Sequence, residues 1–279
     1  MSAPGRNGLA ACVCLSVSVV LLGCTPTYRR DQLVHAIQQI CATDYHLTVS
    51  ARETGQTIAV HLHHEGILEQ HGNQIGLSPS ANEVLGNLIE GIHRVILSTD
   101  APINFYIVLV SDATVPGAYL TLIRYVEDVR RANANMLPPT EFFSRTIFDL
   151  KFVGGPSVGL DQLALNDIQF EQFLSWQLAK RIQAHLTEQL QRHGIPLAEV
   201  GPCVGEFRDG EFAFTLSVTP TPGLPVDDVL IQQVFQDATS VIAQVVSGYR
   251  FNKFEAIRLI HLPTGRSLLL PKTRLELFR

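Results

Sequence analysis

Two stretches far apart in the chain carry the same helical stripe: Leu85, Leu88, Ile89, Ile92, Val95 and Ile96 have the spacing of Ile231, Val234, Phe235, Ala238, Val241 and Ile242. Apolar residues at i, i+3, i+4 and i+7 draw one face of a helix, and that face has to be buried. The surroundings match as well. Gly55 to Glu65 (GQTIAVHLHHE) alternates ahead of the first stripe, and Gly210 to Thr219 (GEFAFTLSVT) ahead of the second, which is the period of a half-buried strand. After each stripe comes an apolar strand, Ile103 to Val110 or Phe254 to Leu262, and Pro116-Gly117 or Pro263-Thr264-Gly265 turns it into another, Ala118 to Tyr125 or Arg266 to Leu270. Upstream, each half opens with a helix, Asp31 to Cys41 or about Phe170 to His193, and a strand, His46 to Ser50 or Leu197 to Val204.

Each half therefore reads α-β-β-α-β-β, which predicts a diverged internal duplication. The simplest burial of those stripes is an antiparallel sheet covered on one face by helices, so the class is α+β with two such modules in tandem. Residues 31–153 form the first, with a helical and strand extension over Glu127 to Val153, and residues 167–279 form the second. Gly154-Gly155-Pro156-Ser157 opens the expected linker at 154–166.

Ahead of the modules, Arg6 precedes an apolar run from Leu9 to Leu22, followed at once by Gly23-Cys24. That run is short for a bilayer span and has the build of a secretory leader. Leu21-Leu22-Gly23-Cys24 resembles the lipobox of bacterial lipoproteins. The resemblance implies that residues 1–23 are removed, that Cys24 is alkylated by a diacylglyceryl group, and that the new N-terminus is acylated. With Thr25 rather than an acidic residue after the cysteine, it implies a cell-envelope protein on the periplasmic face of the outer membrane where the host has one. Residues 24–30 are the lipidated tether, and Arg29 and Arg30 at its end are placed to meet anionic headgroups or solvent. The body resembles uncharacterised bacterial lipoproteins, which implies no activity.

The chain carries 21 Lys and Arg against 26 Asp and Glu, and losing Arg6 with the leader makes it more acidic. With no basic stripe, a nucleic-acid role is excluded. Cys12 and Cys14 leave with the leader, so Cys41 and Cys203 remain, either as two separate thiols or as a disulfide in an oxidising compartment.

Candidate chemistry is sparse. His61 and His63 share one strand face, so they could present two imidazoles to a metal ion, with Glu65 or His71 completing the set. Their counterparts Thr215 and Ser217 are the polar face of an ordinary half-buried strand, which explains the same positions without metal. Ser78, Ser80 and Ser157 lie outside any nucleophile motif. Cys203 has no basic neighbour to favour a thiolate, and Asp100 reads as a turn former. Arg124 and Arg258 interrupt apolar strands and call for a carboxylate, solvent at an edge, or a ligand carboxylate. Phe142, Phe143, Phe148 and Phe152 crowd the end of the first half, while Phe170, Phe173 and Trp176 follow the linker at core spacing. No cofactor motif is present.

Two functional readings follow. The leading one is a non-catalytic, membrane-anchored envelope lipoprotein that binds or scaffolds another envelope protein through a sheet face or edge. The alternative is a small-molecule- or metal-binding protein, or an enzyme, with its site between the modules. A pocket of convergent titratable groups would favour the second reading, and an exposed apolar or edge-strand surface the first.

Overall fold

A computed structural model describes residues 27–71, 74–152, 166–192, 198–220 and 228–275. The leader, Cys24 and all but the last residue of the expected linker lie outside the described residues.

The first half runs α1 (Leu33–Tyr45), β1 (Val49–Thr54), β2 (Thr57–His64), a small hairpin of β3 (Leu68–His71) and β4 (Gln74–Leu77), then α2 (Ala81–Ile96), β5 (Phe105–Asp112) and β6 (Ala118–Tyr125). Its extension is α3 (Val126–Asn133), α4 (Pro139–Arg145) and β7 (Ile147–Phe152). The second half runs α5 (Phe170–Arg192), β8 (Ala198–Val200), β9 (Val204–Arg208), β10 (Glu211–Leu216), β11 (Val218–Pro220), α6 (Asp228–Tyr249), β12 (Ala256–His261), β13 (Arg266–Pro271) and a one-turn α7 (Lys272–Leu275). The class is α+β.

Strands are ordered β1-β2-β5-β6-β7 in the larger sheet and β13-β12-β10-β9 in the other. Both centre on one parallel pair, β2 with β5 and β10 with β12, flanked by antiparallel neighbours. The sheets are thus mixed rather than wholly antiparallel. The reason is the connection: α2 and α6 return the chain to the end from which the preceding strand started, so the next strand runs the same way.

Local chemistry moves several boundaries. His46 takes a left-handed φ of 57° and caps α1, so the strand begins at Val49. The strand expected over Leu197 to Val204 divides at Gly201-Pro202; its first part pairs with β11, and only residues from Val204 onward join the main sheet. The β3–β4 hairpin carries too little alternation to be read in advance. The amphipathic ending closes at Leu275, which is buried, while Leu277 and Phe278 lie outside the described residues.

The helical stripes are buried as their spacing requires. Leu33, Ile37, Leu85, Leu88 and Ile92 pack on Ile58, Val60, Leu62, Tyr106, Val108 and Val110. In the second half Leu174, Leu178, Ile182, Ile231, Val234 and Ile242 pack on Phe212, Phe214, Ile257 and Leu259. One element departs from the expected layering. On the opposite face of the larger sheet, Ala59, Phe105, Ile107, Ile123 and Ile147 are covered by Ile168 and Phe173 at the start of the second half. Hence α5 belongs to two cores, and the larger sheet is covered on both faces. β5 is buried along its whole length because neither of its faces reaches water.

Candidate functional site

The two histidines proposed as metal ligands lie on the face of β2 opposite α1 and α2, where α5 covers only the other end. His61 Nε2 lies 2.8 Å and His63 Nδ1 3.0 Å from the same atom, the hydroxyl oxygen of Ser111 on β5. A hydroxyl can accept from one imidazole and donate to the other, so Ser111 bonds one nitrogen of each ring. Burial, and then the neighbouring His63, holds the His61 pKa below the usual histidine range, which favours the neutral form. His64 turns to the other face and pairs with the Glu65 carbonyl at 2.6 Å. Glu65 is exposed, and the His71 side chain lies outside the described residues. Among the described residues no three His, Cys, Asp or Glu side chains gather to hold a metal ion.

Ser111 itself gave no signal in the sequence. A serine beside a histidine is half of a nucleophilic pair, but Ser111 is wholly buried and, among the described residues, no third side chain orients His61. The group is a structural link between β2 and β5. Ser78 bonds the Gly66 carbonyl at 2.5 Å and the Ser80 hydroxyl at 3.1 Å, joining the hairpin to the start of α2. Ser157 lies outside the described residues.

Arg258 takes the carboxylate expected of it, with Nε and Nη2 donating to the two oxygens of Glu211 at 2.6 and 3.1 Å. Arg124 differs. It is buried, donates to the Thr146 hydroxyl at 3.0 Å and the Tyr106 oxygen at 3.2 Å, and lies over the Phe142 ring at 4.6 Å. Tyr106 in turn lies 2.8 Å from His93 Nε2. Burial, and then the Arg124 charge, lower the His93 pKa to about 4, leaving a neutral ring to accept the tyrosine proton.

Cys41 and Cys203, the two cysteines among the described residues, are free thiols. Cys41 sits between α1 and α2 and Cys203 just before β9, with burial pushing their pKa values up to about 11 and about 12. Neither is poised as a thiolate.

A cleft of about 660 Å³ opens between the larger sheet and α5, lined by Thr121, Asp149, Trp176, Lys180, Gln183 and Cys203 among others. Its charges face one another. Asp149 accepts from Lys180 at 2.9 Å and lies 3.1 Å from Lys151, and the Gln183 side chain accepts the Cys203 N–H at 3.3 Å. Below the cleft a second polar group ties the halves together. Arg145 on α4 bonds Asp128 and Glu141 at 2.8 Å each and lies over the Tyr249 ring, while Gln177 on α5 donates to the Arg145 carbonyl and the Tyr249 oxygen.

The aromatic crowd divides. Phe170, Phe173 and Trp176 pack between the sheets, and Phe142 packs against the first core. Phe143 on α4 stands 66% exposed, and Phe148 and Phe152 stand 44% and 62% exposed on β7, the outermost strand of its sheet among the described residues.

At the first described residues, the Thr27 and Tyr28 N–H groups donate to the Ser98 carbonyl, and the Thr99 hydroxyl donates to the Tyr28 carbonyl. Arg30 donates to Glu53 at 2.7 Å and the Gly55 carbonyl at 2.8 Å, while Arg29 lies 3.7 Å from Asp31. Among the described residues no helix is long and apolar enough to cross a membrane. Compared with known proteins, the chain matches no family model, no curated protein and no solved structure.

Proposed function

We propose that this chain is a bacterial envelope lipoprotein, anchored through Cys24, whose body binds or scaffolds other envelope protein rather than catalysing a reaction. The observation that carries the binding role is that four of the eight exposed large apolar side chains among the described residues stand on outer strands. Phe148 and Phe152 lie on β7, Val204 on β9 and Leu269 on β13, each the outermost strand of its sheet. Outer strands carry unpaired backbone donors and acceptors, so an apolar side chain there adds packing to a ready hydrogen-bonding edge. Asp149, Lys151 and Lys180 in the cleft are paired with one another, which leaves less to support a site between the halves.

The anchor reading is supported by the Leu21-Leu22-Gly23-Cys24 motif and by the short reach of the tether. Thr27 is already bonded to Ser98, and the three residues from Cys24 span at most about 10 Å, so the lipid would hold the body close to the membrane. Acyl chains contribute about 0.8 kcal/mol per buried CH₂, and two or more give stable attachment. Labelling cells with radioactive palmitate tests this directly. The wild-type chain takes up label and Cys24→Ala does not; an unlabelled wild-type chain sinks the anchor.

A further inference from the structure

We propose that β7 pairs antiparallel with β7 of a second copy of this chain, about a twofold axis through Leu150, joining two larger sheets edge to edge. The assignment rests on reading β7 as a contact edge and is independent of the anchor.

The argument begins with Phe148-Asp149-Leu150-Lys151-Phe152, which is symmetric about its centre in everything that matters for pairing. Among the described residues no strand lies outside β7, so the row of backbone groups on that side is unpaired. Its side chains alternate. Phe148, Leu150 and Phe152 share the face that carries α1 and α2, while Ile147, Asp149 and Lys151 share the other.

A twofold axis normal to the sheet keeps like faces together. With Leu150 opposite Leu150 of the second copy, Phe148 faces Phe152 and Asp149 faces Lys151, each twice. Aromatic and opposite-charge pairs are the cross-strand contacts that stabilise antiparallel sheets. The neighbouring registers fail. Slipping one way puts Asp149 opposite Asp149, and slipping the other puts Lys151 opposite Lys151, so the charges select one alignment.

The exposed groups agree with this occupant. Of the three phenylalanines that stand well exposed among the described residues, Phe148 and Phe152 are on β7 and Phe143 is on the helix before it, α4. Lys151 lies 3.1 Å from its own Asp149 with its side chain 56% exposed, so pairing would exchange that carboxylate for the facing one without burying the lysine first. A partner of unrelated sequence would have to supply the same alternation of aromatic and charge to fit as well.

The test uses the full chain in isolated envelopes, with Leu150→Cys oxidised by copper phenanthroline. A disulfide dimer at twice the chain mass is expected, since residues on the axis face their own copies at bridging distance. Glu90→Cys, exposed on α2, gives the collisional background and should stay monomeric. Adding Lys151→Asp sets two acidic pairs opposite each other and should cut the dimer about tenfold, whereas Lys151→Arg should keep it. Sedimentation of the unmutated chain in mild detergent should show two copies per particle and guards against misfolding of the cysteine variant. No dimer from Leu150→Cys, an equal band from Glu90→Cys, indifference to Lys151→Asp, or a single copy on sedimentation would each overturn the pairing. Palmitate labelling of the same sample reports the anchor separately, so a labelled monomer defeats the pairing alone and an unlabelled dimer defeats the anchor alone.

Discussion

The Tyr249 hydroxyl donates to Asp128 Oδ2 at 2.7 Å, across 121 residues of sequence, and so bonds the last turn of α6 to α3. Burial, and then the Asp128 charge, push the Tyr249 pKa well above the usual tyrosine range, which keeps it a donor. Arg145 completes the group with its side chain 5% exposed against 4% for Asp128. A buried charge of this kind is costly to leave unpaired. Removing one partner should therefore hurt more than removing a surface ion pair. Tyr249→Phe should destabilise by about 1–2 kcal/mol, and Arg145→Ala by about 3–5 kcal/mol because Asp128 is left buried and unpaired. Urea unfolding measures both; losses within the range of exposed pairs would show that this group does not hold the halves together.

Acid should weaken the fold through His93. Its folded pKa of about 4 lies below the ordinary value of 6.5, so the unfolded chain binds the proton first. Stability from this group is present above the unfolded value and falls as pH drops from 6.5 toward 4, by at most about 3 kcal/mol, then levels off. Urea midpoints measured across that range should slope downward with acid, and His93→Gln should flatten the slope. An unchanged slope in the variant would assign the effect to other groups.

Gly205 is where α5 comes closest to the second sheet. A Cβ there would lie 2.3 Å from the Ser175 carbonyl oxygen and 2.9 Å from the Phe214 ring. Neither neighbour can swing aside, since one is helix backbone and the other a buried ring. Gly205→Ala should cost about 3 kcal/mol through forced separation of the layers. Gly86 is the contrast, an exposed glycine inside α2 with open space around its Cβ position. Gly86→Ala should stabilise by about 0.5–1 kcal/mol. Similar effects of the two substitutions on the melting midpoint would contradict this account.

Zinc should leave the melting midpoint unchanged, because Ser111 already satisfies the nearest nitrogens of His61 and His63. Ser111→Ala removes the shared partner of one half-buried ring, His61, and one exposed ring, His63, and should lower stability by about 1 kcal/mol. A zinc-dependent rise in midpoint that His61→Ala abolishes would restore the metal reading, since a ligand bound only to the native state stabilises it.

Much of the fold was legible. The strand Ala118 to Tyr125 has the expected ends, and the stripe from Ile231 to Ile242 is buried at all six positions. The candidate site was less so. His61 and His63 do share a face, but the atom between them comes from Ser111, on a strand that periodicity describes only as apolar. Arg124 and Arg258 looked alike in sequence. One met Glu211 on the adjoining strand and the other met Tyr106, Thr146 and the Phe142 ring, because their neighbours in space differ.

By itself the sequence determined most of the helices and strands and which of their faces are apolar, and it carries Leu21-Leu22-Gly23-Cys24, which resembles a lipobox. These are local properties, set by side-chain period and by a short motif. Only the tertiary structure decided that the central strands run parallel, that α5 serves two cores, and that β7 leaves Phe148 and Phe152 exposed. Those features depend on which surfaces meet after the chain has turned back on itself. An apolar stripe states that a face must be covered; what covers it is settled only when every other stripe in the molecule has competed for the same partners.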